Sequence, residues 1–410
     1  MNGQRIGCVV VMGLGLALAA PAAGQEPADT RSGEAAAARQ AKAASPEQND
    51  RSRLERVLNF VEHSPAIGRI FGTADGFGVR IGGIDDGPGF AFGPRWQATY
   101  LDGHIRPQVS GAMSFRRDHE MEAGVELRRL GTHRIEAELK ASAGHLVRER
   151  FFGTGMTSSR ENESLFGLDR TSISASTAAA PTDWLTVSAG VSHVSISASR
   201  AQGPDVPAVH ERFASALPAG AAGEPRFAVA SLAATVDLRD TPGNPRQRGR
   251  YHVRFQRHVD RSLETHSFNR IDVELEQHVS AWSHQRTLTL RAIGTVLDAD
   301  PSNAVPFYLQ PTLGGSRVLR GFVGDRFRDD TLVALQAEYG WDIWPFLNAV
   351  LFYEAGAVAP RWQTLGMNEL RTDYGIGFRL GSARTVALRT DVAFGSGEGT
   401  RMTMRFHHAF

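Results

Sequence analysis

The sequence predicts an all-β protein: a 16-stranded antiparallel transmembrane β-barrel with a short N-terminal periplasmic helix and a long loop folded into its lumen. Three observations lead there. The last residues, Arg401 to Phe410, alternate strictly, with Met402, Met404, Phe406, His408 and Phe410 on one face and Arg401, Thr403, Arg405, His407 and Ala409 on the other. Such a strand suits lipid on one side and a wet lumen on the other. At the opposite end Arg5 precedes an apolar run, Ile6 to Ala20, followed by the small residues Ala22, Ala23 and Gly24. That run is short for a membrane span and has the pattern of a cleaved secretory signal. Between the ends, alternating segments of about ten residues are separated by turn signals.

The elements follow in order. Residues 1–24 are expected to be the signal peptide and 25–51, rich in Ala, Gln, Glu and Asp with little to bury, a flexible periplasmic lead. Over 52–72 the pattern changes. Ser52 and Glu55 have capping-box spacing, and Leu54, Val57, Leu58 and Val61 recur at helical spacing until Ser64 and Pro65 stop the run. Two readings of this helix stand level: an amphipathic segment that receives a partner or lipid at the barrel mouth, or a helix that packs on the barrel's first turn. The barrel is expected over 73–410, with strands near 77–84, 89–101, 104–116, 119–130, 132–150, 165–179, 184–198 and 226–239 in its first half. The second half is expected at 250–259, 266–282, 285–299, 331–342, 347–359, 370–381, 384–396 and 400–410. An even count places the first and last strand ends on the periplasmic side. The same parity puts the short connectors LDGH, LGT, APTD, TPGNPRQRG, WSH, DIWPF and GSA in the periplasm, and the longer stretches 151–164, 199–225 and 300–330 outside.

Composition alone would hide this fold, because 41% hydrophobic residues and a mean hydropathy of −0.25 also fit a soluble chain. The net charge of +1 supplies no field to draw in nucleic acid, which is not an expected partner. Lys42 and Lys140 are the only lysines, and the other permanently cationic side chains are arginines. The single cysteine, Cys8, lies inside the signal, so the mature chain is expected to be thiol-free, without disulfide, thiolate metal site or redox centre. No cofactor and no metal are expected. The glycine-rich stretch Gly153 to Ser159 lacks the lysine of a phosphate loop, and His407 and His408 point to opposite faces of one strand. No arrangement of nucleophile and histidine favours an enzyme, which is the least supported class. Arg371, Arg379, Arg389 and Arg405 fall on lumen-facing positions with Asp373 and Asp391, which reads as a mutually neutralising wall or as an anion-selective path.

The longest outer loop has a chemical role legible from the flanking strands. In the expected twelfth strand Val333, Leu335, Ala337, Tyr339 and Trp341 form the apolar face, which turns Glu338 to the lumen. In the thirteenth, Leu347, Ala349, Leu351, Tyr353 and Ala355 do the same and turn Glu354 inward. The loop segment LGGSRVLRGFVGDRFRDD, Leu313 to Asp330, presents Arg320 between glycines. The planar guanidinium fork there suits a bridge between the two carboxylates; the alternative is that Arg320 satisfies loop carbonyls.

These residues resemble the BamA/TamA family of outer-membrane assembly barrels, also called bacterial surface antigens. The resemblance rests on Leu319, Arg320, Gly321 and Phe322, which match a V/L-R-G-F/Y motif in the loop before the twelfth strand, preceded by Gly314 and Gly315. Further similar stretches, Gly82 to Trp96, Phe151 to Gly155, Asp237 to Gly249, Ala334 to Gly340 and Phe352 to Val358, extend it over nearly all of the barrel. The resemblance implies an internal contact of Arg320 with Glu338 and Glu354. Phe352, Glu354 and Gly356 stand on the family's F-x-D-x-G pattern, with glutamate in place of the usual aspartate. It also implies that Phe406 and Phe410 form an assembly signal read by the barrel assembly machinery during biogenesis.

The function implied is transport, translocation or insertion of protein or lipid through the lumen or through a lateral seam between first and last strands. Gln25 to about Phe71 is too short to hold a POTRA domain of the kind carried by family members that fold or secrete proteins, and no patatin-like lipase domain is present. The expected partners are therefore outer-membrane lipid and lipopolysaccharide, the assembly machinery, and a separate periplasmic protein docked on the Ser52 helix. A second class stays open: a passive channel or structural protein of the bacterial outer membrane.

Overall fold

The computed structural model describes residues 75–84, 90–130, 134–201, 205–280, 285–344, 346–381 and 386–406. The expected signal, lead and periplasmic helix lie outside those residues, as do His407, His408 and Phe410. One antiparallel sheet begins with β1 (Gly76–Gly82), β2 (Ala91–Gln97), β3 (Ile105–Ser114), β4 (His119–Leu130), β5 (Ile135–Phe151) and β6 (Ser164–Thr182). It continues through β7 (Leu185–Arg200), β8 (Arg226–Asp237), β9 (Arg248–Asp260), β10 (Phe268–Ser280) and β11 (Arg286–Ala299). A hairpin of two-residue strands, β12 (Thr312–Leu313) and β13 (Phe327–Arg328), interrupts it. β14 (Thr331–Trp344), β15 (Leu347–Ala359), β16 (Arg371–Gly381), β17 (Val386–Phe394) and β18 (Arg401–Phe406) complete it.

Each of the sixteen strands pairs with its neighbours in the order of the sheet, and among the described residues the only step over intervening strands is β11 to β14 across the long loop. The sheet is the expected sixteen-stranded barrel wall. Among the described residues no ladder joins β1 to β18, which are the two edges of the sheet.

Period-two alternation explains why these segments are strands and which way each faces. On β18, Met402 is 64% exposed and Met404 53%. On β14, Val333 and Leu335 are exposed whereas Ala334 and Gln336 are buried. An apolar outer face beside a polar interior inverts the order of a water-soluble sheet and fits a wall in hydrocarbon. No helix among the described residues is long and apolar enough to cross a membrane, a test that does not bear on strands.

Two departures from expectation are local. The second strand, expected over 89–101, ends at Gln97, because Leu101 and Asp102 adopt left-handed backbone angles in a turn closed by the Tyr100–Ile105 bridge. The outer connections also hold structure too short to leave a periodic signal: the β12–β13 hairpin and a single helical turn, α1 (Val209–Arg212).

The interior is packed at the outer end. Phe151, Phe166, Phe227, Phe268 and Phe307 cluster with Val209 of α1, with Phe307 lying edge-on to Phe166 at 4.7 Å and to Phe151 at 4.9 Å. Burying an aromatic side chain of this size contributes roughly 1.5–3 kcal/mol, so these rings hold the outer connections over the lumen. A second cluster, Leu313, Leu319, Phe322, Phe327, Leu332 and Met156, fixes the long loop against the wall.

Candidate functional site

The long loop reaches the lumen through backbone angles that only some residues accept. Gly314 and Gly315 have φ of +107° and +99°, and a Cβ on Gly314 would lie 2.1 Å from the Val323 carbonyl oxygen. They start a tight reversal in which Gly314 N–H donates to Val318 O (3.2 Å) and Gly315 N–H to Phe322 O (3.1 Å). Leu319 itself sits at φ 54°, a strain on the order of 1 kcal/mol for a side chain with a Cβ. Complete burial of its isobutyl group in the second apolar cluster offsets that strain. The reversal leaves the next residue, Arg320, pointing at the barrel wall.

Arg320 is 1% exposed and meets three strands at once. Its Nε donates to Glu354 Oε1 at 2.9 Å, its backbone N–H to Glu354 Oε2 at 2.8 Å, and its Nη2 to Glu338 Oε1 at 2.7 Å. Nη1 lies 3.1 Å from Asp391 Oδ2 on β17. The guanidinium carbon stands 3.6 Å above the Phe352 ring, so one face is covered by an aromatic quadrupole while the edges are spent on carboxylates. Burial opposes the charged guanidinium, but Glu338, Glu354 and Asp391 outweigh it and hold its pKa above the ordinary arginine value.

The neighbouring motif positions serve the same contact. Gly321 N–H donates to Asp373 Oδ2 at 2.6 Å, and a Cβ at Gly321 would crowd Asp373 at 3.0 Å. Phe322 packs edge-on to Phe327 at 5.3 Å. Gly356 on β15 leaves room for Leu313 of the loop hairpin, whose methyl would meet a Cβ there at 3.1 Å. Phe406 closes β18 opposite Leu388, and Phe410 lies outside the described residues.

Sequence reasoning singled out Arg320, Glu338 and Glu354 but did not join to them several residues that complete the cluster. Asp373 stands directly opposite Glu354 across the β15–β16 ladder, so two carboxylates face each other where the loop arrives. Like charges in that position destabilise a sheet unless a counter-charge lies between them. Gln336 donates to Glu354 Oε1 and to Arg317 O. Arg379 donates to Asp391 Oδ1 at 2.5 Å, and Arg389 to Glu338 Oε2 at 3.0 Å. Arg371, at the start of β16, is exposed. The alternation marks the lumen-facing members of this set, whereas their adjacency depends on inter-strand register, which no single strand contains.

A second buried arginine of the loop ties the outer connections together. Arg326 Nε donates to Glu398 Oε1 at 2.6 Å, Nη1 to Ser158 Oγ at 3.0 Å and Nη2 to Ser158 O at 2.9 Å. Its guanidinium lies 4.5 Å from the Phe327 ring centroid. Arg160 donates to Glu398 O at 3.1 Å, so the β5–β6 connection, the long loop and the β17–β18 hairpin meet at one point. Arg326→Ala is expected to weaken this clasp by about 1.5–3 kcal/mol, the range for hydrogen bonds to a charged group. Protease added to the outside of whole cells should then cleave the variant within 152–163 or 395–400. Cleavage no faster than in the unsubstituted protein would show that the apolar clusters hold these loops unaided.

Residues 117–408 match the Omp85 superfamily domain. The chain belongs to the Omp85 superfamily. Among solved structures, this Omp85 chain is similar to BamA from Haemophilus ducreyi lacking POTRA domains 1–3, at 10% identity and a TM-score of 0.63, over 82% of this chain and 71% of that one. It is similar to CdiB from Escherichia coli at 13% identity and a TM-score of 0.50, over 80% of this chain and 60% of that one. At such identities the likeness is one of fold. No curated protein sequence matches the chain. Superfamily and fold together make it an outer-membrane β-barrel, the architecture that the alternation predicts.

Proposed function

We propose that this Omp85 barrel moves protein or lipid into or across the outer membrane, through its lumen or through the seam between β1 and β18, with a separate periplasmic protein as partner. The observation that carries the reading is the contrast between two parts of the wall. Arg320 and Gly321 bind the long loop to β14, β15, β16 and β17, whereas the edges β1 and β18 share no ladder among the described residues. In hydrocarbon each unpaired backbone group costs several kcal/mol, so a fully laddered wall resists opening along its whole length. A boundary without a ladder has no inter-strand hydrogen bonds to break on opening and is the natural exit. The loop then keeps the adjacent strands in register while the edge moves.

The apolar outer face contacts outer-membrane lipid and lipopolysaccharide, and the barrel assembly machinery inserts the protein itself. The charge clusters position the loop and perform no bond chemistry in this reading. Recovery of the full-length barrel from native membranes, followed by quantification of co-purifying proteins, tests it. A stoichiometric periplasmic partner is expected. A lone barrel that conducts a steady ionic current in planar bilayers would replace this reading with a passive channel.

A further inference from the structure

On the periplasmic side of the Arg320 cluster the lumen encloses a chamber of about 380 Å³. Its upper boundary includes Arg317, Gln336 and Glu338, and its lower boundary is the turn after β8, residues 242–246. That turn crosses the barrel mouth. Arg246 Nη1 pairs with Asp342 Oδ2 of β14 at 2.8 Å, and Gly243 O accepts the Val386 N–H of β17 at 3.3 Å. The chamber is therefore bounded by loop above and turn below, within the size range of small-molecule sites.

Its lining is rich in arginine: seven arginines and three carboxylates, with Arg239 and Arg291 paired to Asp237 and Glu274 beside it. All three carboxylates are already engaged: Glu276 with His278, Asp342 with Arg246, and Glu338 with Arg320, Arg379 and Arg389. The arginines include a row in register on adjacent strands, Arg379 opposite Arg389 across β16–β17 and Arg389 opposite Arg405 across β17–β18. Directly opposed like charges oppose sheet formation. Arg379 and Arg389 have Asp391 and Glu338 as counter-charges, but Arg405 makes no ion pair among the described residues. Among the described residues the Nε atoms of Arg389 and Arg405 and the hydroxyl of Thr287, all buried and belonging to lining residues, have no hydrogen-bond partner.

We propose that this chamber binds a small oxyanion of the phosphate class, held by Arg405 and Arg389, which stand opposite each other on adjacent strands. A tetrahedral oxyanion supplies the several acceptors that paired guanidinium forks need, and its charge relieves the arginine row. Ready-made, unpaired donors in a walled site reduce the reorganisation that binding requires. Arg405 lies on β18, so occupancy adds a counter-charge to the last strand at the edge of the sheet.

The test uses the full-length barrel purified in non-ionic detergent and titrated with inorganic phosphate by calorimetry at fixed ionic strength, with chloride as reference. Saturable one-site binding is expected. Arg405→Gln should weaken it by about tenfold or more, the loss of charge-assisted hydrogen bonds, while Arg405→Lys retains part of it. Should Arg405→Gln fail to fold, Thr287→Asp places a carboxylate in the chamber from β11 and should weaken phosphate binding without removing an arginine. Competition separates sources of the same chemistry: displacement by glycerol 3-phosphate marks a free solute, and displacement by phosphatidylglycerol vesicles marks a lipid headgroup, each supporting the site. A response to phosphate identical to that to chloride, or equal binding by the unsubstituted protein and both variants, overturns the proposal.

Discussion

Arg320→Ala is expected to lower the stability of the barrel by about 3 kcal/mol, between the ~1 kcal/mol of an exposed ion pair and the ~3–5 kcal/mol of a broken buried one. The loss concentrates on Glu354. Glu338 retains Arg379 and Arg389, and Asp391 retains Arg379, but Glu354 is 0% exposed, stands opposite Asp373, and is left with no cationic partner among the described residues, the Gln336 amide still donating to it. The wet lumen lets water reach part of the vacated space, which keeps the effect below that of a sealed core. The readout is the temperature at which the folded band converts to unfolded mobility on a gel, together with external protease cleavage of the loop between β11 and β14. Arg320→Lys should recover little, because one ammonium cannot reach Glu338 and Glu354 while also lying flat on Phe352. In the double variant Arg320→Ala/Glu354→Gln the cost should be smaller than the sum of the single changes, since the second change removes the carboxylate that the first left unpaired. Strict additivity with an unaltered, protease-resistant loop would mean that Arg320 does not pin it.

What the sequence discloses about this molecule follows the range of each physical signal. Alternation acts within one strand, so it locates sixteen strands and assigns their faces; Glu338 and Glu354 are legible as inward-facing because each is phased by its own apolar neighbours. The β2 end is misplaced because the turn at Leu101 and Asp102 depends on backbone angles that alternation does not encode. Asp391 and Asp373 are visible as lumen-facing residues, but their place beside Arg320 depends on β15–β16 and β16–β17 register together with the depth to which the loop descends. The same holds for Arg379, Arg389 and Arg405, legible in sequence as lumen-facing but forming a row only when their strands pair. The Arg326 clasp is further removed still, joining Arg326 to Ser158 and to Glu398 across separations of 168 and 72 residues, with no repeating pattern to announce it.

Gly375 shows how much of the site is written as missing side chains. It lies on β16 directly opposite Phe352, and its absent Cβ is the space in which the ring lies under Arg320. An added Cβ would stand 2.1 Å from the Val392 carbonyl oxygen and 2.3 Å from Phe352 Cζ. Gly375→Ala must therefore displace both a ladder carbonyl and the ring, and an overpacked site of this kind costs about 1–3 kcal/mol. Ordinary strand behaviour predicts the opposite sign, because replacing glycine where alanine fits stabilises by about 0.4–1 kcal/mol through the unfolded chain. Gly294 on β11 supplies the control: nothing lies within 4 Å of a Cβ built there, so Gly294→Ala should be neutral or mildly stabilising. Gly375→Ala should lower the unfolding midpoint and expose the loop to protease, since a tilted Phe352 ring no longer backs the guanidinium. Adding Phe352→Leu to Gly375→Ala should return part of the lost stability by vacating the overlap, although the cation–π contact is then gone. Equal midpoints for Gly375→Ala and Gly294→Ala would mean that Phe352 moves aside at no cost, and that Arg320 is held by its carboxylates alone.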